Sequence, residues 1–352
     1  MKARIVAILL FVGFTFLFPC CDGSDSTYLE RTSWEGLDPK TIDTANWMGE
    51  LPLYGFLRLN QIILPGSHDS GMYEFRNCNI PSVIVNRLVK TQNLNFFEQL
   101  VSGSRYFDIR VDVMGHDLVT YHRTSGLGCA GAKIKDILDQ TVSFLTFHPS
   151  EFVILKFSHF DHEGCKDVLN QELDNYDKFL FKQWDEQPNL IKEPLYRLRG
   201  HFVALLQDFG HRINPIKGRW RYADFFHVDR YLPGSLTVYD QYSETPDYEK
   251  MKKDQLIKLG GSGGLGKDFL HLFSWTLTPV IFAPPKKKHW ENLQWLAKEA
   301  NSKLPGVLYD IYRTCFPYPN VVYIDYVNIL TNQHIIKYNF DYDPCGRLPW
   351  PT

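Results

Sequence analysis

Short apolar runs closed by turn residues recur along the chain, at residues 61–64, 105–111, 117–121, 152–157, 202–207, 235–239, 270–276 and 321–324. Runs of this length, bounded by Gly, Pro, Asn or Asp, read as strands, and the near-continuous apolar ones as strands covered on both faces. Between several of them lie segments of helical period. Ile134, Ile137, Leu138, Val142 and Leu145 share one face, and residues 165–181, 248–259 and 290–300 repeat the pattern. Strand alternating with helix predicts a parallel sheet. An open doubly wound sheet and a closed barrel share that alternation, but eight strands spread over most of 352 residues fit an α/β fold of (β/α)8 TIM type. The step from Val111 to Val119 is too short for a crossover helix, so either that helix is missing or the two strands join differently.

The first of these runs, residues 61–64, stops at Pro65 and Gly66 and hands over to Ser67, His68, Asp69 and Ser70. Ahead of it the pattern changes. Residues 1–23 combine Lys2 and Arg4, an apolar stretch from Ile5 to Phe18 and a Pro-Cys-Cys-Asp-Gly close, the three-part form of a secretory signal. That stretch is too short to span a bilayer comfortably. Residues 24–45 are polar and aperiodic and read as a leader, so the catalytic barrel is expected to occupy residues 46–352.

Composition narrows the partners. A formal charge of -2, from 38 basic and 40 acidic residues, provides no basic field for nucleic acid. Aromatics at 15% are assigned mainly to the core. Export implies an oxidising compartment, where Cys78, Cys129, Cys165, Cys315 and Cys345 allow two bridges and one free thiol. Position relative to the strands favours Cys129 with Cys165 and Cys315 with Cys345. Cys20 becomes the mature N-terminus only if the chain is lipidated there.

In a barrel of this kind the chemistry sits at the C-terminal ends of the strands. The first run ends at His68 and Asp69, the second carries Asp108 and Arg110, and the third ends at His122. Further on come Lys156, then Asp240 and Tyr242, and finally Asp325. Each alone is ordinary, because a carboxylate beside an arginine is usually a structural ion pair and a lone histidine usually a satisfied one. Together they converge on one mouth. Two imidazoles and a guanidinium suffice to cleave a phosphodiester without metal: one ring takes the proton of the attacking hydroxyl, the other protonates the leaving oxygen, and the fork holds the phosphoryl oxygens.

The motifs Leu-Pro-Gly-Ser-His-Asp-Ser-Gly, Arg-Tyr-Phe-Asp-Ile-Arg, Tyr-His, Ile-Leu-Lys, Tyr-Asp-Gln-Tyr and Val-Tyr-Ile-Asp-Tyr-Val-Asn follow in that order. They resemble the phosphatidylinositol-specific phospholipase C X-domain family, in its bacterial-type and X-domain-only members, over residues 46–328. The resemblance implies a distorted (β/α)8 barrel. It implies His68 as general base toward the inositol 2-hydroxyl, oriented by Asp325, and His122 as general acid for the diacylglycerol oxygen, coupled to Asp69. Arg110 would hold the phosphate, and Lys156, Asp240 and Tyr242 would contact the inositol ring. In the calcium-dependent branch an acidic residue stands in place of Arg110 and an Asn in place of Asp69, so no cofactor, calcium included, is expected here. Asp108 matches a position that is acidic in that branch as well. The expected partner is a phosphoinositide lipid, met by an exported protein at a membrane surface, with no obligate protein partner evident. One departure bears on specificity: bacterial members end the fifth strand on an inositol-gripping Arg, where this chain has Gln207 or Asp208.

Three other features read as ordinary. Residues 261–266 match a dinucleotide glycine pattern but follow a helix, His159, Asp161 and His162 read as a solvated loop, and Lys286, Lys287 and Lys288 as a charged helix start that could also meet anionic lipid. Two rival functions remain: a phospholipase C acting on another head group, and a non-catalytic lipid-binding barrel.

Overall fold

The computed structural model describes residues 38–51, 55–124, 126–183, 189–227, 232–341 and 345–346, so the signal reading of residues 1–23 and most of the leader fall outside the described residues. The barrel strands are β1 (Leu64–Ser67), β2 (Tyr106–Met114), β5 (Val153–Ser158), β6 (Phe202–Leu206), β7 (Arg219–Asp224), β8 (Ser235–Asp240), β9 (Leu270–Ser274) and β10 (Val321–Ile324). All pair in parallel in the order β1-β10-β9-β8-β7-β6-β5-β2, and β1 also pairs with β2, which closes the ring. The expected α/β barrel is present, and its distortion is local.

That distortion is the short step flagged between Val111 and Val119. β3 (Asp117–Thr124) runs antiparallel to the extended end of β2, and β4 (Leu127–Lys133) runs antiparallel to β3, so both lie off the barrel. Residues 117–121 are therefore not a barrel strand. The eighth position belongs to β7, whose Arg-Trp-Arg-Tyr-Ala-Asp sequence hides its apolar residues between polar ones. A helix, Ile134–Phe147, then carries the chain back to β5.

The first strand also differs from expectation, beginning at Leu64 and running through Pro65 and Gly66. Pro65 is tolerated because its carbonyl accepts from the N–H of Arg105 at 2.9 Å, just before β2 begins, so the hydrogen it lacks would have faced no ladder partner. Gly66 is favoured by proximity: a Cβ there would lie 3.0 Å from Val321 Cγ1 and 3.3 Å from Tyr323 Cα, tighter than ordinary contact.

Side chains alternate across the ring. Leu64, Tyr106, Ile154, Val203, Leu205, Trp220, Leu236, Val238, Leu270, Leu272 and Val321 are part of the core that fills the barrel. Their sequence neighbours Phe107, Ile109, Val153, Leu155, Phe202 and Ala204 pack outward with helices Phe96–Val101, Ile134–Phe147 and Glu163–Asp174. Phe273, Val322 and Ile324 pack outward with helices Tyr248–Ser262, Leu293–Arg313 and Ile329–Lys337. Residues 38–45 are already part of this packing, with Ile42 in the barrel core and Thr44 Oγ1 donating to the Val101 carbonyl at 2.7 Å. Among the described residues no helix is long and apolar enough to cross a membrane.

The disulfides are Cys78–Cys129 and Cys315–Cys345, with Cys165 free and buried. The second pair is as expected; the pairing of Cys129 with Cys165 is not. Because β4 leaves the barrel, it zips onto the segment around Cys78, with Arg76 and Ala130 exchanging both backbone hydrogen bonds at 2.7 and 2.9 Å. Cys165 stays on its own helix, inside the outer core.

Candidate active site

The inward-facing set that builds the barrel core turns polar at the C-terminal end of every strand. Two steps beyond Tyr106 and Ile154 stand Asp108 and Lys156; two beyond Val238 and Tyr323 stand Asp240 and Asp325. Two beyond Leu205 stands Gln207, and His68 follows Gly66 in the same way. These side chains line one cavity of about 400 Å³. Arg110 joins them from β2, and His122 reaches in from β3, so the off-barrel hairpin supplies one imidazole that no barrel strand could place.

His68 Nδ1 lies 2.7 Å from Asp325 Oδ1, so that nitrogen carries a hydrogen toward the carboxylate. Its Nε2 is 3.6 Å from Asp69 Oδ2 and 3.5 Å from an Arg110 Nη. Burial alone would push the pKa of this ring down, but the charges of Asp69 and Asp325 and the Asp325 hydrogen bond prevail, against Arg110, and raise it to about 9. His122 is the reverse case. Its Nδ1–H donates to the Val89 carbonyl at 3.0 Å, and burial, assisted by the Arg110 charge, lowers its pKa although Asp69 opposes. Asp69 Oδ2 is farther from that ring, at 3.8 Å. The expected coupling of His122 to Asp69 is thus a charge contact, and the backbone carbonyl does the orienting.

Asp69 is the hub. It occupies a left-handed backbone position, φ 39°, which short polar residues tolerate, and this turn sets its carboxylate among Arg110 and the two imidazoles. Arg110 Nε approaches Asp69 Oδ1 at 2.6 Å. The turn is pinned from outside: Thr91 Oγ1 donates to the Asp69 carbonyl at 2.8 Å and Gln92 Nε2 to the His68 carbonyl at 2.9 Å. Gln92 Oε1 in turn accepts from Val327 N at 2.9 Å, which ties the turn to the segment after Asp325.

At the other end of the cavity Lys156 is held between Asp240 at 2.8 Å and Asp108 at 3.3 Å. Burial disfavours its charge, yet Asp240 and the groups around it raise the pKa well above the ordinary lysine value. For Asp108 burial acts upward, but Lys156 and then Arg110 hold the carboxyl below the usual range. Tyr222 donates to Asp240 Oδ2 at 3.1 Å and carries Lys156 over its ring at 4.7 Å. Gln207 and Tyr242 both line the cavity as expected, Tyr242 from its rim, where it is 57% exposed and its phenol donates to Glu244 at 2.8 Å.

Tyr222, Asp224, Ser274 and Tyr323 line the same space and were not singled out from the sequence, although all four hold the inward register. His159 is the sharper miss: set aside as solvated loop, it stands on the cavity wall. Val89 carried no signal, because a backbone carbonyl has none. The glycine-rich 261–266 segment closes helix Tyr248–Ser262, and a Cβ on Gly264 would overlap the Tyr318 carbonyl, so close packing explains that glycine.

His68, Asp69 and Asp108 bring ligand atoms within 4.8 Å of one another and could meet a cation, but the two carboxylates already face Arg110 and Lys156. Asp112, His162 and Cys165 form a second such group away from the cavity, with Asp112 bound to Arg123 at 2.7 Å.

No family model matches this sequence. It is similar to the human PI-PLC X domain-containing protein 2, 34% identical over 158 residues, covering 37% of this chain and 50% of that protein. It is also similar to the 1-phosphatidylinositol phosphodiesterase of Listeria monocytogenes, 28% identical over 212 residues, covering 59% of this chain and 62% of that protein. The chain thus spans about half the length of the curated relatives it matches, and the resemblance read from its motifs holds. Among solved structures, the phosphatidylinositol-specific phospholipase C of Listeria monocytogenes superposes with a TM-score of 0.64 at 18% identity, covering 86% of this chain and all of that one. A Staphylococcus aureus phosphatidylinositol-specific phospholipase C superposes with a TM-score of 0.60 at 18% identity, covering 84% of this chain and 97% of that one. These superpositions concern the fold.

Proposed function

We propose that this relative of the PI-PLC X-domain proteins and bacterial phosphatidylinositol phosphodiesterases is an exported enzyme that cleaves phosphatidylinositol, or a glycosylated form of it, without metal. The observation that carries the reading is one carboxylate, Asp69, reached within 3.8 Å by two imidazoles and a guanidinium. His68 Nε2 takes the proton of the inositol 2-hydroxyl as that oxygen bonds to phosphorus. The phosphorus–oxygen bond to diacylglycerol breaks, and His122 Nε2 supplies the proton to the departing oxygen. Arg110 forks onto the phosphoryl oxygens where charge accumulates. The products are diacylglycerol and a cyclic inositol phosphate.

Two features support the head group and the absence of metal. Lys156 is matched by Asp108 and Asp240, and Asp224 adds another carboxylate, so this end of the cavity suits a neutral polyol and repels further phosphates. A cation would have to compete with Arg110 for Asp69 and with Lys156 for Asp108. Micellar phosphatidylinositol followed by phosphorus NMR in EDTA is expected to give a cyclic phosphate first. A linear monophosphate with no cyclic species would contradict intramolecular attack, and complete loss of turnover in EDTA would overturn the metal-free reading. A second head group is favoured by Gln207, which offers no fork where bacterial members carry one, and a head-group panel separates the two.

Membrane contact is assigned to the loop after Thr278 and Pro279, which line the cavity. Ile281 and Phe282 there are 67% and 89% exposed. The neighbouring lysines contribute less than their run promised: Lys288 pairs with Glu291 at 2.6 Å and Lys287 lies over Trp290. Replacing Ile281 and Phe282 together by serine is expected to lower turnover of lipid in vesicles about tenfold or more, as two apolar side chains are lost from the interface. Turnover of a monomeric short-chain lipid should stay within about twofold. An equal fall on both substrates would place the loop in the chemistry instead.

A further inference from the structure

The geometry points to His159 as a head-group contact, a specificity-determining residue whose ring accepts a hydrogen bond from a hydroxyl of the polyol. This rests on the reading of the cavity as a phosphodiesterase site. His159 follows the last residue of β5 and, continuing the strand alternation, would turn away from the barrel interior. Its backbone instead adopts φ 49°, a left-handed position uncommon for residues other than glycine but one that histidine, like Asn and Asp, enters, and this turn puts the side chain on the cavity wall. The turn is held: the Tyr121 phenol donates to the His159 carbonyl at 2.6 Å, and Arg123 stacks on that Tyr121 ring at 5.1 Å. That fastening fixes the turn that presents the ring to the cavity.

The hydrogen bonds around the ring determine its tautomer. Ser158 Oγ has one hydrogen and gives it to Asp108 Oδ1 at 3.1 Å. At 3.0 Å from His159 Nδ1 the same oxygen can therefore only accept, which puts the imidazole hydrogen on Nδ1. Nε2 is left as a bare lone pair with no hydrogen-bond partner among the described residues. An acceptor of this kind welcomes a hydroxyl and repels a phosphate oxygen, which has no hydrogen to give. Asp108, through which the relay runs, is already engaged by Lys156, so the ring is locked into the wall that grips the head group. Gln207 directly follows β6, which pairs with β5, so the two side chains lie just past neighbouring strand ends where the basic fork of bacterial members is absent.

The test uses His159→Asn, because Asn accepts the left-handed backbone and keeps a side-chain donor for Ser158 while removing Nε2. On a monomeric phosphatidylinositol analogue the variant is expected to raise KM about five- to tenfold, the scale of one hydrogen bond, with kcat within about twofold. The two enzymes are then compared on analogues each lacking one ring hydroxyl. For the hydroxyl that Nε2 accepts, the penalty of the variant should vanish, a convergence that a merely structural role would not produce. A KM unchanged from wild type, or a penalty that persists across every deoxy analogue, overturns the assignment while the cleavage reaction stands. Failure of the wild-type protein to cleave any inositol lipid removes both, and the two failures are distinguishable because the second shows in wild type.

Discussion

His68→Ala is expected to lower kcat/KM toward phosphatidylinositol by at least about a hundredfold, the usual scale for loss of a general base. The protonation states make the pH profile informative as well. Between a pKa for His122 held below the ordinary 6.5 and one for His68 near 9, the unliganded pair carries one proton, and it rests on His68. The competent arrangement places that proton on His122, so it is a minor form whose share does not change across this window. The profile should therefore show a plateau. It falls at low pH, where both rings are protonated and no base remains, and again above about pH 9, where both are neutral and no acid remains. Asp325→Asn removes a charge that raises the His68 pKa, so the alkaline limb is expected to move toward neutral pH while the acid limb stays. Unaltered turnover in His68→Ala would move the base elsewhere, and an alkaline limb indifferent to Asp325→Asn would detach it from His68.

Most of this site was legible because period-two alternation and barrel closure together place residues. Once Tyr106 and Ile154 are inside, Asp108 and Lys156 must be inside too, and the same count reaches Asp240 and Asp325. Tyr222 and Asp224 obey that register, yet they were missed because Arg219 and Arg221 break the apolar run of β7 and no strand was read there. The hairpin of β3 and β4 was announced only as a distance too short for a helix. Its consequences, the entry of His122 from outside the barrel and the Cys78–Cys129 bridge, depend on where an antiparallel excursion lands, and local pattern does not encode that. Orientation of His122 by the Val89 carbonyl lies beyond any side-chain pattern. Tyr242, two past Asp240, keeps the inward count and lines the cavity from its exposed rim.

Arg105→Met is expected to destabilise the fold by about 3–5 kcal/mol while leaving kcat at low temperature close to wild type. Arg105 and Arg110 bracket the same Arg-Tyr-Phe-Asp-Ile-Arg hexapeptide, but Arg105 directly precedes β2 whereas Arg110 closes the part of β2 that pairs with β5 in the barrel. At the N-terminal end Arg105 is wholly buried, donating to Glu151 Oε2 from Nε at 2.8 Å and from Nη2 at 2.7 Å. It also donates to the carbonyls of Leu100 and Ala45 at 2.7 and 3.0 Å, and its guanidinium lies 4.7 Å from the Phe144 ring. Glu151 accepts from Met48 N at 3.0 Å, so the pair clamps the segment ahead of β1 onto the barrel floor. Removing the arginine alone strands a buried carboxyl whose pKa burial already raises and Arg105 holds down. Replacing both partners, as Arg105→Met with Glu151→Leu, leaves no orphaned charge and should recover much of the loss, because the attraction between buried ions is offset by their desolvation. Urea unfolding of the two variants measures this. A single variant costing under about 1 kcal/mol, or a double variant no better than the single, would show that the clamp is not what holds the floor.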